Sequence, residues 1–209
     1  MLQSLCDILN DAFREARDGS PERFLEAVDA YAGAVAPTVG LAGVGLATFA
    51  DWFLFDCASR DGATPLSEYA AGLPAGPARD DAVAVAESGL FASFVYEALE
   101  AEGDATVAAL ADIATGRAYA VEGSQLTGCP GWAGSVVTGR IARAADGAWH
   151  AVSPFFYRDR APLEVGVRVA AGIRDSRPAG TPLSVAFAAE MLGGGPLTDS
   201  LRVSGAERP

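Results

Sequence analysis

A chain of 209 residues that is 50% hydrophobic and 20% charged can bury a sizeable core, which excludes a disordered tail. Its formal charge of −12 excludes a protein that grips nucleic acid or anionic lipid with its whole surface. The charge is uneven: residues 1–105 hold 18 acids and 5 arginines, residues 106–209 hold 9 acids and 10 arginines, and there is no lysine.

Leu2, Leu5, Leu9, Phe13 and Ala16 recur at three- and four-residue steps and predict a helix ending near Gly19. Ser20-Pro21-Glu22-Arg23 reads as an N-cap, a proline at the first helical position and a polar first turn. Phe24, Leu25, Val28 and Tyr31 carry this second helix towards Gly33. The 21 residues from Ala30 to Ala50 hold no charge, a length that could cross a bilayer. Pro37, four glycines and the flanking Asp29 and Asp51 speak against a span, so a buried helix and turn are expected. Leu46 to Phe55 reads as a mostly buried helix stopped by Asp56. Thr64-Pro65, with Glu68, is the capping signature of a short helix through Tyr69, and Asp80 to Glu87 forms a further helix.

The texture changes at Gly89. Phe91 to Leu99 has the aromatic and β-branched content of a strand. Ala105 to Ile113 and Arg117 to Val121 form a hairpin about Thr115-Gly116. Val136 to Ala144 and Trp149 to Pro154 form another about Asp146-Gly147. Leu163 to Ile173 and Leu183 to Leu192 read as helices separated by a proline-glycine break. The expected fold is α+β. An acidic helical region (1–88) packs on a small curled antiparallel sheet or partial barrel (89–156), followed by a helical C-terminal extension (157–209), as one compact unit.

Five runs carry a resemblance. They are Asp51-Trp-Phe-Leu-Phe-Asp56 with Gly62-x-Thr64-Pro65-Leu66-x-x-Tyr69, then Ser88-Gly-Leu-Phe91 with Asp112-Ile-Ala-Thr-Gly-Arg-Ala-Tyr-Ala-Val121, then Gly139-Arg140 through Trp149. Over residues 49–155 these resemble the core of a group of poorly characterised bacterial proteins. Many members of that group add a C-terminal cysteine- and histidine-rich metal-binding segment of the SEC-C type. This sequence has only His150 and no cysteine after Cys129, so zinc-dependent recruitment does not carry over. The group supplies no established catalytic set.

Catalytic signatures are sparse. Cys6, Cys57 and Cys129 are odd in number and far apart, which fits reduced thiols better than a disulfide framework or a zinc site. The first residues lack a basic n-region, so a cytoplasmic location is expected. His150 has no partner at metal or triad spacing. No G-x-S-x-G occurs, a Walker motif is excluded without lysine, and the glycines of Val39 to Gly45 follow no strand. No cofactor or metal is expected. Asp51 and Asp56 could serve a metal-dependent hydrolase, but a spacing of five does not share a helix face. Asp51 is therefore expected in solvent, Asp56 as a cap, and Trp52 and Phe55 in the core.

The leading expectation is a non-enzymatic binding or adaptor protein whose partner is another protein. Its surface would be a groove between the tryptophan-bearing helix and the sheet, lined by the motif residues Trp52, Asp56, Tyr69, Arg140 and Trp149. The alternative is a nucleic-acid-associated protein using the arginines and aromatics of residues 132–177: Arg140, Arg143, Trp149, Arg158 and Arg160.

Overall fold

The computed structural model describes residues 4–35, 43–102, 105–157 and 162–193. Helix α1 (Leu5–Gly19) starts at a reciprocal cap in which Ser4 and Asp7 satisfy each other's backbone N–H groups. Helix α2 (Pro21–Val35) opens on its proline, where the missing N–H costs nothing. Helix α3 (Val44–Phe55) follows, then α4 (Pro65–Gly72) and α5 (Pro77–Ser88). The α4 cap is Thr64 with Ser67, because Ser67 rather than Glu68 occupies the third helical position. Glu68 turns instead to Arg23 of α2, at 2.7 Å.

Two apolar clusters hold these helices. Phe13, Phe24, Phe49 and Phe53 meet one another, and Phe49 meets Tyr31, with ring centroids 5.4–6.4 Å apart, mostly edge to face. Ile8, Leu54, Leu66, Tyr69, Ala82 and Val85 join α1, α3, α4 and α5. The uncharged stretch is divided between the end of α2 and the start of α3, with residues 36–42 outside the described part. Among the described residues no helix is long and apolar enough to cross a membrane.

The strands are β1 (Leu90–Glu102), β2 (Ala105–Asp112), β3 (Ala118–Glu122), β4 (Ser135–Arg143), β5 (Trp149–Ala151) and β6 (Phe156–Tyr157). A short helix α6 (Ser124–Thr127) and a 3-10 turn (Pro130–Trp132) lie between β3 and β4. The strand order is β1-β2-β3-β5-β4, and β4 closes back onto β1. The pairings are antiparallel except β3 with β5, which run parallel through Val121↔Trp149 and Glu122↔His150. The connectivity is that of a closed, mixed five-stranded barrel. The sheet is therefore curled as the sequence predicts, but the closing pair is parallel, because the chain crosses the barrel end through α6 before returning in β4 and β5.

Alternation places Phe94, Tyr96, Leu110, Tyr119, Val121 and Ile141 inside the barrel. A bulge at Glu97 shifts the β1–β2 register between Tyr96 and Ala98. At Gly139 a Cβ would stand 2.9 Å from the Phe155 ring, so glycine is what lets that ring lie against β4. Helix α7 (Leu163–Ser176) packs on β4 and β1, while α8 (Leu183–Leu192) bridges α2, α3 and β1. The fold is α+β, with helices from both ends of the chain closing over one side of the barrel.

Candidate functional site

Strand β4 is buried almost throughout, because its inner face fills the barrel and its outer face lies under helices. Arg140 leaves that outer face towards α3. Its Nε donates to Asp51 Oδ1 at 2.8 Å and its Nη2 to Asp51 Oδ2 at 3.1 Å, a bidentate pair. The same Nη2 donates to Asp56 Oδ2 at 2.6 Å. The Ser184 hydroxyl of α8 donates to that same Asp56 oxygen at 2.5 Å. The Phe55 and Phe91 rings flank the guanidinium, 4.5 and 5.5 Å from its central carbon. The Arg140 backbone N–H donates to Ser153 Oγ at 2.8 Å.

Asp51 and Asp56 converge although five residues apart, because only Asp51 is inside the helix. Asp56 is the residue that caps the end of α3, with its N–H on the Trp52 carbonyl, and the departing chain swings its carboxylate round to Arg140. Asp51 is thus the reverse of the expectation: its side chain is 4% exposed, as Arg140's is 3%. Asp56 keeps 20%. Burial pushes the Asp51 carboxyl above the ordinary carboxylate range, and Arg140 pulls it back only in part. Burial works against the charged Arg140 as well, but Asp51 and Asp56 outweigh it and hold the guanidinium protonated.

The seam beside this cluster, lined by Ala47, Thr48, Asp51, Phe91, Ser153 and Ser184, does not admit a water molecule. A general base needs a lone pair that a substrate can reach. Asp51 offers none, since both oxygens face the guanidinium in a dry seam. Chemically, the arrangement is a tie between α3, β4 and α8. Among the described residues no three His, Cys, Asp or Glu side chains are placed to hold a metal ion.

Of the five residues expected to line one groove, Asp56 and Arg140 are in contact. Trp52 packs on Tyr31 and Phe49 at 5.2 and 6.1 Å. Tyr69 is buried in the cluster of α1, α4 and α5. Trp149 meets Tyr119 edge to face at 5.0 Å on the barrel. Of the arginines named for nucleic acid, Arg140 is spent in the tie and Arg143 is exposed at the end of β4. Arg158 and Arg160 lie outside the described residues. Ser153 and Ser184 were missed, because a lone serine carries no signal of a partner 13 or 128 residues away.

Clefts open beside α1 and α4, where Asp11, Arg14, Tyr69 and Leu73 line one of about 380 Å³, and on the barrel. β3 and β5 pair through two residues only, and beside them opens a cleft of about 280 Å³. Its walls include Val107, Tyr119, Ala120, Glu122, Ala148 and Trp149. Arg117 lies over the Tyr119 ring at 5.0 Å. The outer face of β1, β2 and β3 presents Val95, Ala98, Ala111, Ala118 and Ala120 in the observed register, bordered by Glu97, Glu100 and Glu122. No family model, curated protein or solved structure matches the chain.

Proposed function

We propose that the chain is a non-catalytic binding protein that recognises another protein through the β3–β5 side of its barrel. The observation that carries this reading is the contrast between the two polar regions. Asp51 and Asp56, the carboxylates best placed for hydrolysis, are both held by Arg140, Asp51 in a seam closed to water. The Tyr119–Trp149 cleft is open, and it joins aromatic surface to a carboxylate, the composition of a recognition patch rather than of a reaction centre. The groove between α3 and the sheet supports recognition less well, because the tie fills it.

The barrel connectivity alone does not favour nucleic acid, since one fold serves many functions. The β1–β3 face carries alanines and glutamates where a polyanion would need arginines and stacking aromatics. The test is affinity capture with the wild-type chain and with Trp149→Ala. A stoichiometric protein partner recovered by the wild type and lost with the variant supports the reading. Absence of any stoichiometric partner, or recovery unaffected by the variant, overturns it.

A further inference from the structure

We propose that the cleft between β3 and β5 binds an alkylammonium cation. This inference rests on the barrel being the recognition surface and names the chemistry recognised there. Tyr119 and Trp149 stand at 79° to each other with centroids 5.0 Å apart. Tyr119 is only 8% exposed and meets Trp149 edge to face, so the partly exposed indole is the ring this cleft offers, and an indole beside a carboxylate suits a compact, rounded cation. The Arg117 guanidinium, just before β3, lies over the Tyr119 ring at 5.0 Å and occupies that face. Arg117 is not part of the cleft wall, so the Trp149 side is left for a ligand.

Glu122 supplies the charge. Its side chain is 43% exposed, and its nearest basic neighbour, His150 Nδ1, is 3.7 Å away, too far for a hydrogen bond. Glu100 stands opposite Val107 in the β1–β2 register, adding a second negative charge beside the same wall. At about 280 Å³ the cleft is near the lower end of small-ligand sites, which start at roughly 300 Å³. It has space for a trimethylammonium head. A ligand of the opposite charge would meet Glu122 and Glu100, so an oligonucleotide fits this cleft poorly.

The test uses the full chain labelled with 5-fluorotryptophan, whose fluorine signals are assigned by Trp→Phe substitution at Trp52, Trp132 and Trp149 in turn. The probes are choline, its uncharged isostere 3,3-dimethylbutan-1-ol, and a short peptide carrying trimethyllysine. Choline or the peptide is expected to move the Trp149 signal saturably, with the neutral isostere about tenfold weaker. Glu122→Gln should weaken the cation severalfold and leave the isostere unchanged. A tighter response to the peptide assigns the cation to a partner chain, and a tighter response to choline assigns it to a free ligand. No saturable shift with either cation, or equal shifts with cation and isostere, overturns the proposal. If affinity capture still depends on Trp149 in that case, the binding-protein reading survives and only the cation is wrong.

Discussion

Replacing Arg140 by methionine tests the tie between α3, β4 and α8. The substitution keeps most of the side-chain volume and removes the charge that two carboxylates share. Asp51 is left 4% exposed with no cation, while Asp56 keeps Ser184 and 20% exposure. Removing one partner of a buried pair costs about 3–5 kcal/mol, against about 0–1 kcal/mol for a surface pair. Asp56 can rehydrate in part, so most of the loss falls on Asp51, and a value of about 3 kcal/mol at pH 7 is expected. For a chain of this size that is a fall in Tm of roughly 6–12 °C. The loss also depends on pH. Burial already lifts the Asp51 carboxyl, and without the guanidinium it rises further. The folded variant then takes up a proton at a higher pH than the unfolded chain does. Its stability therefore recovers as pH falls from neutrality towards the ordinary carboxylate range, and is lost as pH rises. Denaturant unfolding at pH 7 and pH 5 reads both effects. A loss below about 1 kcal/mol at pH 7, or one that does not change with pH, would refute the reasoning.

Three further outcomes follow from packing and burial. Phe49→Ala removes a ring that stacks on Phe53 at 5.5 Å and touches Tyr31 and Phe24. It should cost about 3–5 kcal/mol in denaturant unfolding. Gly139→Ala drives a Cβ to 2.9 Å from the Phe155 ring and should cost about 1–3 kcal/mol, whereas Gly131→Ala, which meets nothing within 4 Å, should be near neutral. Burial pushes the Tyr31 phenol up to about 12 from 10.0. Because the folded value is the higher one, its stabilising contribution is full below pH 10.0 and falls as pH rises towards 12. Spectrophotometric titration of wild type against Tyr31→Phe should show one late-ionising phenol missing from the variant.

The helices and the two hairpins were legible because they rest on local signals: apolar spacing of three and four in α1, Pro21 and Thr64-Pro65 at helix starts, and glycine turns at Gly116 and Gly147, where φ is +71° and +94°. The α6 turn of helix and the two-residue β6 were not, since four residues and two residues are too short to show a period. The parallel β3–β5 pair was hidden for a different reason. Its register is set by barrel closure and not by either strand's own pattern.

The site divides in the same way. Asp51, Asp56 and Arg140 each sat in a motif, yet nothing local joins Arg140 to carboxylates 84 and 89 residues earlier. The helix-face rule separated Asp51 from Asp56, and it failed because Asp56 has already left the helix. An aspartate in a run as apolar as Leu46 to Phe55 was itself a sign of a buried ion pair, since an unpaired carboxylate could not remain there. Trp149 and Tyr119 meet only when the barrel closes.

The most direct test of the central claim, that the Asp51–Arg140–Asp56 cluster is a structural tie and not a metal-dependent reaction centre, is thermal unfolding of the wild-type chain with Mg²⁺, Mn²⁺ or Ca²⁺ at millimolar concentration. A tie with both carboxylates on a guanidinium predicts the same Tm with and without each ion. A rise in Tm with ion concentration that disappears in Asp51→Asn would contradict it.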